Sequence, residues 1–184
     1  MTFAQAIREI ILDCSRAPER PTPGLLAEAV ARQAERYLEH VRFDPTHYVR
    51  HPILFFDDWE VMIIGWEAGQ VTPIHDHRGS SGGMVVLGGT LLEERFTTPS
   101  NRPELVDSRV RPEGDLCDTS PTVLHRLIPR THAISLHVYR PPLRTMGIWD
   151  STGMLEIRQS QFEVPETVLG NSSPSPSPSP PLRV

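Results

Sequence analysis

The sequence predicts an all-β domain, a small antiparallel barrel or sandwich, preceded by two α-helices. Two observations carry this prediction. From Asp44 onward, short apolar segments alternate with turn residues, which is typical of antiparallel barrels and sandwiches. Before Asp44, apolar residues recur at helical spacing in two segments separated by prolines. The chain has 184 residues, enough for one domain with a hydrophobic core.

The first predicted helix follows an apolar stripe from Phe3 to Cys14. After the proline-containing break, Thr22 can cap a second helix that has Pro23 in its first turn. We expect both helices, within residues 1–43, to pack on the barrel and to carry no chemistry.

Residues 44–168 are predicted to form the barrel. The segments with strand-like composition are Ile53–Phe56, Trp59–Trp66, Met84–Leu87, Thr90–Phe96, Leu105–Val110, Ala133–Tyr139 and Met146–Trp149. Asp57-Asp58 and Gly88-Gly89 favour tight hairpin turns. Residues 169–184 alternate serine with proline, which cannot form a packed core, so we predict a disordered or polyproline II tail there.

Charge and composition narrow the class of partner. The net charge is −5, which does not favour nucleic acid or an anionic membrane as a partner. No apolar run is long enough to span a bilayer, and the first residues lack a signal-peptide pattern. The two cysteines, Cys14 and Cys117, are too few for a disulfide framework, so we expect buried free thiols. We expect a cytoplasmic monomer that acts on a small molecule.

The segment from Gly69 to Gly89 contains His75 and His77 on either side of Asp76. In an extended strand the two histidines face one side together and Asp76 faces the other. Two imidazoles on one face can begin a metal site, although histidines that only satisfy local hydrogen bonds give the same pattern. The glycine and histidine spacing resembles the first motif of the cupin fold.

The carboxylate ligand that usually follows in that motif is missing. Its place falls at Gly82, and no carboxylate occurs between His77 and Glu93. The second cupin motif supplies a further histidine, and His125 is the best candidate. Its surroundings depart from the common pattern, because the preceding residues are Ser120-Pro121-Thr122 and the usual asparagine is Pro129.

A site of three imidazoles without a carboxylate has a chemical consequence. Neutral nitrogen ligands suit divalent iron, zinc, copper or nickel, and a three-ligand site leaves positions open for other ligands. A metal without an anionic protein ligand keeps its full charge and favours an anionic donor such as a thiolate. Dioxygen could then bind beside the sulfur.

A second group of polar residues lies in the segment Ala133–Tyr139. Alternation places Ser135, His137 and Tyr139 on one face. A hydrogen-bonded structural ladder or an exposed face would explain this pattern. The functional alternative is a relay in which Ser135 orients His137, and His137 orients the Tyr139 hydroxyl toward a bound substrate.

Arg50 follows Tyr48 immediately before the first predicted barrel strand. The planar guanidinium of arginine suits a substrate carboxylate. Considered alone, Arg50 would more often be a surface residue, so this assignment depends on the other groups.

Taken together, these motifs resemble the cysteine dioxygenase family of thiol dioxygenases. The matching segments are Tyr48-Val49-Arg50, Thr72-Pro73-Ile74-His75-Asp76-His77, Leu124-His125-Arg126, Ser135-Leu136-His137-Val138-Tyr139 and Pro141-Pro142-Leu143. The resemblance implies a cupin barrel of the jelly-roll type with one mononuclear ferrous iron. It also implies insertion of both atoms of O2 at a thiol sulfur, which converts L-cysteine to cysteine sulfinic acid.

The resemblance also implies roles for individual residues. The residues that match the iron ligands of the family are His75, His77 and His125. The residues that match its substrate-binding and catalytic side chains are Arg50, Tyr48, Tyr139, His137 and Ser135.

The chain departs from the family pattern at two positions. Animal members have a cysteine near Gly82 that crosslinks to the tyrosine, and glycine excludes this bond, as in many bacterial members. Arg140 replaces a common serine, which leaves the substrate open between cysteine and another thiol acid. Dioxygenases of 3-mercaptopropionate have a glutamine near the position of Arg50, whereas His51 stands beside Arg50 here and favours cysteine. A non-catalytic cupin that binds a metal or ligand is the alternative from another class.

Overall fold

The protein was analysed as a computed structural model, which describes residues 1–19 and 21–159. The predicted tail at 169–184 and the boundary at 168 lie outside the described residues. Within those residues the chain forms two helices and eleven strands. In chain order they are α1 Phe3–Arg16, α2 Pro23–Leu38, β1 Val49–Phe56, β2 Trp59–Trp66, β3 Ile74–Asp76, β4 Ser81–Gly88, β5 Thr90–Thr97, β6 Glu104–Pro112, β7 Leu116–Thr119, β8 Leu124–Pro129, β9 Ala133–Arg140, β10 Thr145–Asp150 and β11 Gly153–Gln159.

The strands form two antiparallel sheets. One has the order β1-β2-β9-β4-β7, and the other has the order β11-β10-β3-β8-β5-β6. Side chains from both sheets form a shared core, including Met62 and Met84 from the first sheet and Leu91 and Ile148 from the second. The predicted all-β domain with two preceding helices is therefore confirmed.

Both helices cover the outer face of the five-stranded sheet. Ile7 of α1 and Leu26 of α2 belong to one core cluster with Val61 and Leu136 of that sheet. Thr22 caps α2 by accepting a hydrogen bond from the Leu25 N–H, and Pro23 begins the helix, as predicted. Neither of these helices is long and apolar enough to cross a membrane.

Strand β2 is buried along its whole length because it has a core on each side. Val61 and Ile63 face the helices, whereas Met62, Ile64 and Trp66 face the space between the sheets. The inner face of β2 therefore contributes directly to the wall of the barrel interior.

Four strands were not among the predicted segments: β3, β7, β8 and β11. Strands β3 and β7 have only three and four residues, too few to show a hydrophobic period. Strand β8 places a histidine and an arginine among its apolar residues, which hides the alternation. The positions of β3, β7 and β8 depend on pairing with distant segments, whereas β11 pairs with the preceding strand β10.

Gly83 lies against the first residues of α2. A Cβ atom at this position would overlap the backbone of Pro23. We expect Gly83→Ala to displace α2 and to lower the free energy of unfolding by about 1–3 kcal/mol, as overpacked cores do. Gly88→Ala in the same strand is the control, because its Cβ would meet nothing within 4 Å. Chemical denaturation compares the two, and equal stability would contradict the tight contact.

Candidate metal centre and substrate pocket

The structure brings His75, His77 and His125 together. His75 and His125 are paired neighbours on strands β3 and β8, and His77 follows β3 directly. All three side chains are buried, and one ring nitrogen from each lies within 4.8 Å of the others. The Nε2 atoms of His77 and His125 are 3.2 Å apart. The three histidines thus form a compact group that could hold one metal ion.

Hydrogen bonds at Nδ1 orient two of these rings. Nδ1 of His75 lies 2.9 Å from the carbonyl oxygen of Pro73, and Nδ1 of His125 lies 3.1 Å from Oε1 of Glu93. Both partners only accept hydrogen bonds, Glu93 as a carboxylate, so each Nδ1 donates its proton. In the neutral ring this leaves the Nε2 lone pair free to bind a metal.

Burial keeps two of the imidazoles uncharged. Burial first, and the neighbouring His125 second, lower the pKa of His75 to about 3 and that of His77 well below its usual value. Neutral imidazole is the form that binds a metal ion. The two rings are therefore ready for metal binding at neutral pH without losing a proton.

Asp76, between the two histidines, has a structural role on the other face of β3. Its carboxylate accepts hydrogen bonds from the Gly147 N–H and from Nε1 of Trp149, at 3.2 and 3.1 Å. These bonds tie β3 to β10. The predicted division of the histidine pair and Asp76 between opposite faces is confirmed.

Glu93 orients the His125 ring by accepting a hydrogen bond from its Nδ1, a role that the sequence analysis missed. Its carboxylate accepts hydrogen bonds from Arg111 at 2.6 Å and from Arg95 at 3.1 Å. Burial opposes ionisation of Glu93, but the bonds from His125 and Arg111 hold its pKa well below the usual range. The sequence signal was alternation in β5, where Glu93 shares the inward face of Leu91.

Glu93→Gln should weaken metal binding about 10- to 100-fold, since partners that orient a ligating histidine usually contribute this much. Glu94→Gln is the matched control, because Glu94 is bonded to Arg126 rather than to a ring of the metal group. Anaerobic titration with Fe(II) measures both variants. A loss of similar size in the two variants, or none in Glu93→Gln, would refute this role.

Ser135, His137 and Tyr139 form a buried hydrogen-bonded chain on the inner face of β9. Ser135 Oγ lies 2.8 Å from Nε2 of His137, and Nδ1 of His137 lies 3.3 Å from the Tyr139 hydroxyl. Trp66, which sequence reasoning missed, donates from Nε1 to Ser135 at 2.8 Å. Burial lowers the pKa of His137 to about 3 and raises the pKa of Tyr139, so both are neutral near pH 7.

Arg50 and Tyr48 line the same cavity as the three histidines, His137 and Tyr139. Nη2 of Arg50 donates to the Tyr48 hydroxyl at 3.4 Å, and the Tyr48 ring packs against Trp66 with centroids 4.8 Å apart. Ser135 lies behind the cavity wall and is completely buried. The cavity volume of about 30 Å³ suits only a small ligand.

Gly82 lies between a metal-group histidine and the tyrosine. A Cβ atom at this position would lie 3.1 Å from Cε1 of His77 and 3.2 Å from Cε1 of Tyr139. A side chain at position 82 would therefore reach Tyr139, and glycine supplies no thiol there.

Arg140 and His51, which raised the question of substrate identity, do not line the cavity. Arg140 forms an ion pair with Asp58 at 2.7 Å, and its guanidinium carbon lies 5.0 Å from the centroid of the Trp59 ring. Nε2 of His51 accepts a hydrogen bond from the Arg42 N–H at 3.0 Å. Of the cysteines, Cys117 is buried beside Glu93 as expected, whereas Cys14 is only partly buried.

Comparison with known proteins agrees with this geometry. A family model described as cysteine dioxygenase type I matches residues 22–152. The chain belongs to this family. In this chain, the three buried histidines are a group that could hold a metal ion.

Relatives in the family are similar to about two thirds of this chain. Cysteine dioxygenase type 1 of Homo sapiens is 29% identical over 133 residues, which cover 68% of this chain and 66% of the human protein. The Danio rerio protein of the same name is 27% identical over 140 residues, with 68% and 67% covered. The match therefore spans just under two thirds of the human relative's length.

A solved structure supports the fold. A conserved protein from Klebsiella pneumoniae with a double-stranded β-helix domain aligns with a TM-score of 0.52 at 18% identity. The alignment covers 61% of this chain and 87% of that protein. The double-stranded β-helix is the cupin fold, so the predicted fold class is confirmed.

Proposed function

We propose that this protein is an iron-dependent thiol dioxygenase that converts L-cysteine to cysteine sulfinic acid. One observation carries the proposal: a group of three histidines that could hold a metal ion shares a small cavity with Arg50 and Tyr139. Such a cavity can bind the thiolate and the carboxylate of one small molecule at the same time.

The donor set fits a mononuclear ferrous ion. His75, His77 and His125 would hold it through ring nitrogens, two of which are oriented by Pro73 and Glu93. When bound, the ion supplies positions at which a thiolate and dioxygen can meet, and neutral imidazoles suit divalent iron.

Arg50 is the proposed carboxylate clamp. Its guanidinium presents several donors in a plane and can form paired hydrogen bonds to a carboxylate. The Tyr48 hydroxyl accepts one hydrogen bond from Arg50, which helps to fix the orientation of the guanidinium. We propose Tyr48 as the second substrate-binding residue.

Tyr139 is the proposed hydrogen-bond donor to the reacting atoms. Its raised pKa keeps the hydroxyl protonated near pH 7, and His137 and Ser135 fix its position. A protonated hydroxyl in this cavity can stabilise an oxygen as it forms a bond to sulfur. A non-catalytic cupin has no evident need for such a chain, which weighs against that alternative.

A dioxygenase of 3-mercaptopropionate is the second candidate. This thiol acid has the same thiol and carboxylate as cysteine, so the clamp at Arg50 would accept either compound. We favour cysteine because the amino group offers an additional ligand to a metal with open positions. The ratio of kcat/KM for the two thiols decides between them.

The test of the proposed function is oxygen consumption by the Fe(II)-loaded protein over a panel of thiols. We expect uptake with L-cysteine and a sulfinate product identified by mass spectrometry. No uptake with cysteine, 3-mercaptopropionate, cysteamine or related thiols would overturn the proposal and favour a binding protein.

The organisation of the chain is also a proposal. We propose that residues 1–43 pack on the barrel, that 44–168 form the cupin domain and that 169–184 form a separate tail. The core cluster shared by both helices and the five-stranded sheet supports the first part. We further propose that the protein is a cytoplasmic monomer, and light scattering after gel filtration tests its oligomeric state.

A further inference from the structure

We propose that Glu60 is a positioning residue for the carboxylate clamp, because its buried carboxyl group lies inside the barrel and changes how strongly Arg50 attracts a substrate carboxylate. The inference rests on the proposed function, since it concerns the same site. Glu60 is a buried acid that has no other role in the proposed chemistry.

The position of Glu60 in β2 places it inside the barrel. Side chains alternate along a strand, so Glu60 points to the same side as Met62 and Ile64, which face the interior. Glu60 pairs directly with Tyr139 on β9. Only 1% of the residue is exposed. A buried acidic side chain lowers the stability of the fold unless its charge has partners or the carboxyl group keeps its proton.

The hydrogen bonds of Glu60 are asymmetric. Oε2 accepts a hydrogen bond of 2.7 Å from the Leu143 N–H, in the segment between β9 and β10. Oε1 is buried and has no hydrogen-bond partner within residues 1–19 and 21–159. One oxygen thus fixes the carboxyl group, while the other is left to carry a proton or an unsatisfied charge.

Four groups around Glu60 act on its charge or respond to it. Burial raises the pKa of Glu60 to about 7, and the Leu143 N–H, Arg144 and Arg50 limit this rise. On the adjacent strand, Glu60 in turn raises the pKa of Tyr139. The carboxyl group therefore gains or loses its charge near neutral pH within the electrostatic range of Arg50.

Ionisation of Glu60 is expected to weaken the attraction between Arg50 and a substrate carboxylate. Below about pH 7 Glu60 is neutral, and the Arg50 charge is fully available to a substrate carboxylate. Above that pH the Glu60 anion offsets the Arg50 charge and repels the carboxylate of the substrate. Binding of a thiol carboxylate should therefore weaken, on the order of tenfold, as pH rises through this range.

The test compares two thiols in wild type and in Glu60→Gln, which keeps the size of the side chain and its acceptor for Leu143. Dissociation constants are measured by anaerobic calorimetry with the Fe(II)-loaded protein between about pH 6 and 8, a window around the Glu60 pKa. Cysteamine lacks a carboxylate, so it reports thiol ionisation without the clamp. Glu113→Gln, at an exposed residue, is the control variant.

For L-cysteine relative to cysteamine, we expect affinity to fall with pH in wild type and in Glu113→Gln and to stay level in Glu60→Gln. Equal pH dependence in all three proteins would overturn the role of Glu60. Because calorimetry measures binding without turnover, this failure is distinct from an absence of oxygen uptake, which would overturn the proposed function.

A second measurement tests the inference if Glu60→Gln does not fold. Carbon-13 NMR of labelled glutamate carboxyl groups in the wild-type protein should show one group that titrates near pH 7. If no glutamate carboxyl group titrates near pH 7, the inference is wrong.

Discussion

Replacing His125 with alanine is expected to abolish both metal binding and oxygen consumption. The change removes one of three neutral ligands and also leaves the Glu93 carboxylate without its imidazole partner. The loss of metal affinity should exceed the roughly 10- to 100-fold that partners of a ligating histidine contribute. Metal analysis after anaerobic loading, together with oxygen uptake, measures the effect.

His40→Ala is the control for this experiment, because His40 is exposed at the end of α2. This variant should bind iron and consume oxygen as the wild type does. If His125→Ala retains full iron content and turnover, the assignment of His125 as a ligand is wrong. Circular dichroism shows whether the barrel of each variant is folded.

Replacing Arg50 with glutamine is expected to change which thiol the protein prefers. Losing a charged partner of a buried carboxylate typically costs about 2–5 kcal/mol, so kcat/KM for L-cysteine should fall by about 30-fold or more. Cysteamine has no carboxylate, and its kcat/KM should change only slightly. Steady-state oxygen uptake with both thiols gives the ratio.

Arg140→Gln provides a matched control for Arg50→Gln. Arg140 is paired with Asp58 and does not line the cavity, so its removal should leave the cysteine-to-cysteamine ratio unchanged. An unchanged ratio in Arg50→Gln would show that Arg50 is not the clamp. A change in Arg140→Gln alone would transfer the specificity role to Arg140.

Much of the site could be predicted from local sequence. Alternation along a strand is sufficient to place Ser135, His137 and Tyr139 on one face, and the structure confirms their hydrogen-bonded order. The same rule separates Asp76 from the flanking histidines. The family resemblance predicts roles for His125 and Arg50. Both residues line the cavity in the structure.

Other parts of the site depend on pairing between distant segments. Trp66 and Ser135 are 69 residues apart in sequence, and no local period indicates their hydrogen bond. Glu93 contacts His125 because β5 and β8 are neighbours, and Glu60 meets Tyr139 because β2 and β9 are neighbours. The order of strands in the sheets brings Glu93 to His125 and Glu60 to Tyr139, so the spacing of these residues in the sequence could not predict their roles.

Under the proposed function, both atoms of dioxygen are inserted at the sulfur of one thiol bound in this cavity. The most direct test is turnover of L-cysteine by the Fe(II)-loaded protein under oxygen-18 gas, with mass spectrometry of the product. We expect cysteine sulfinic acid in which both sulfinate oxygens carry the label. Product with one labelled oxygen or none, or cystine as the only product, would contradict it.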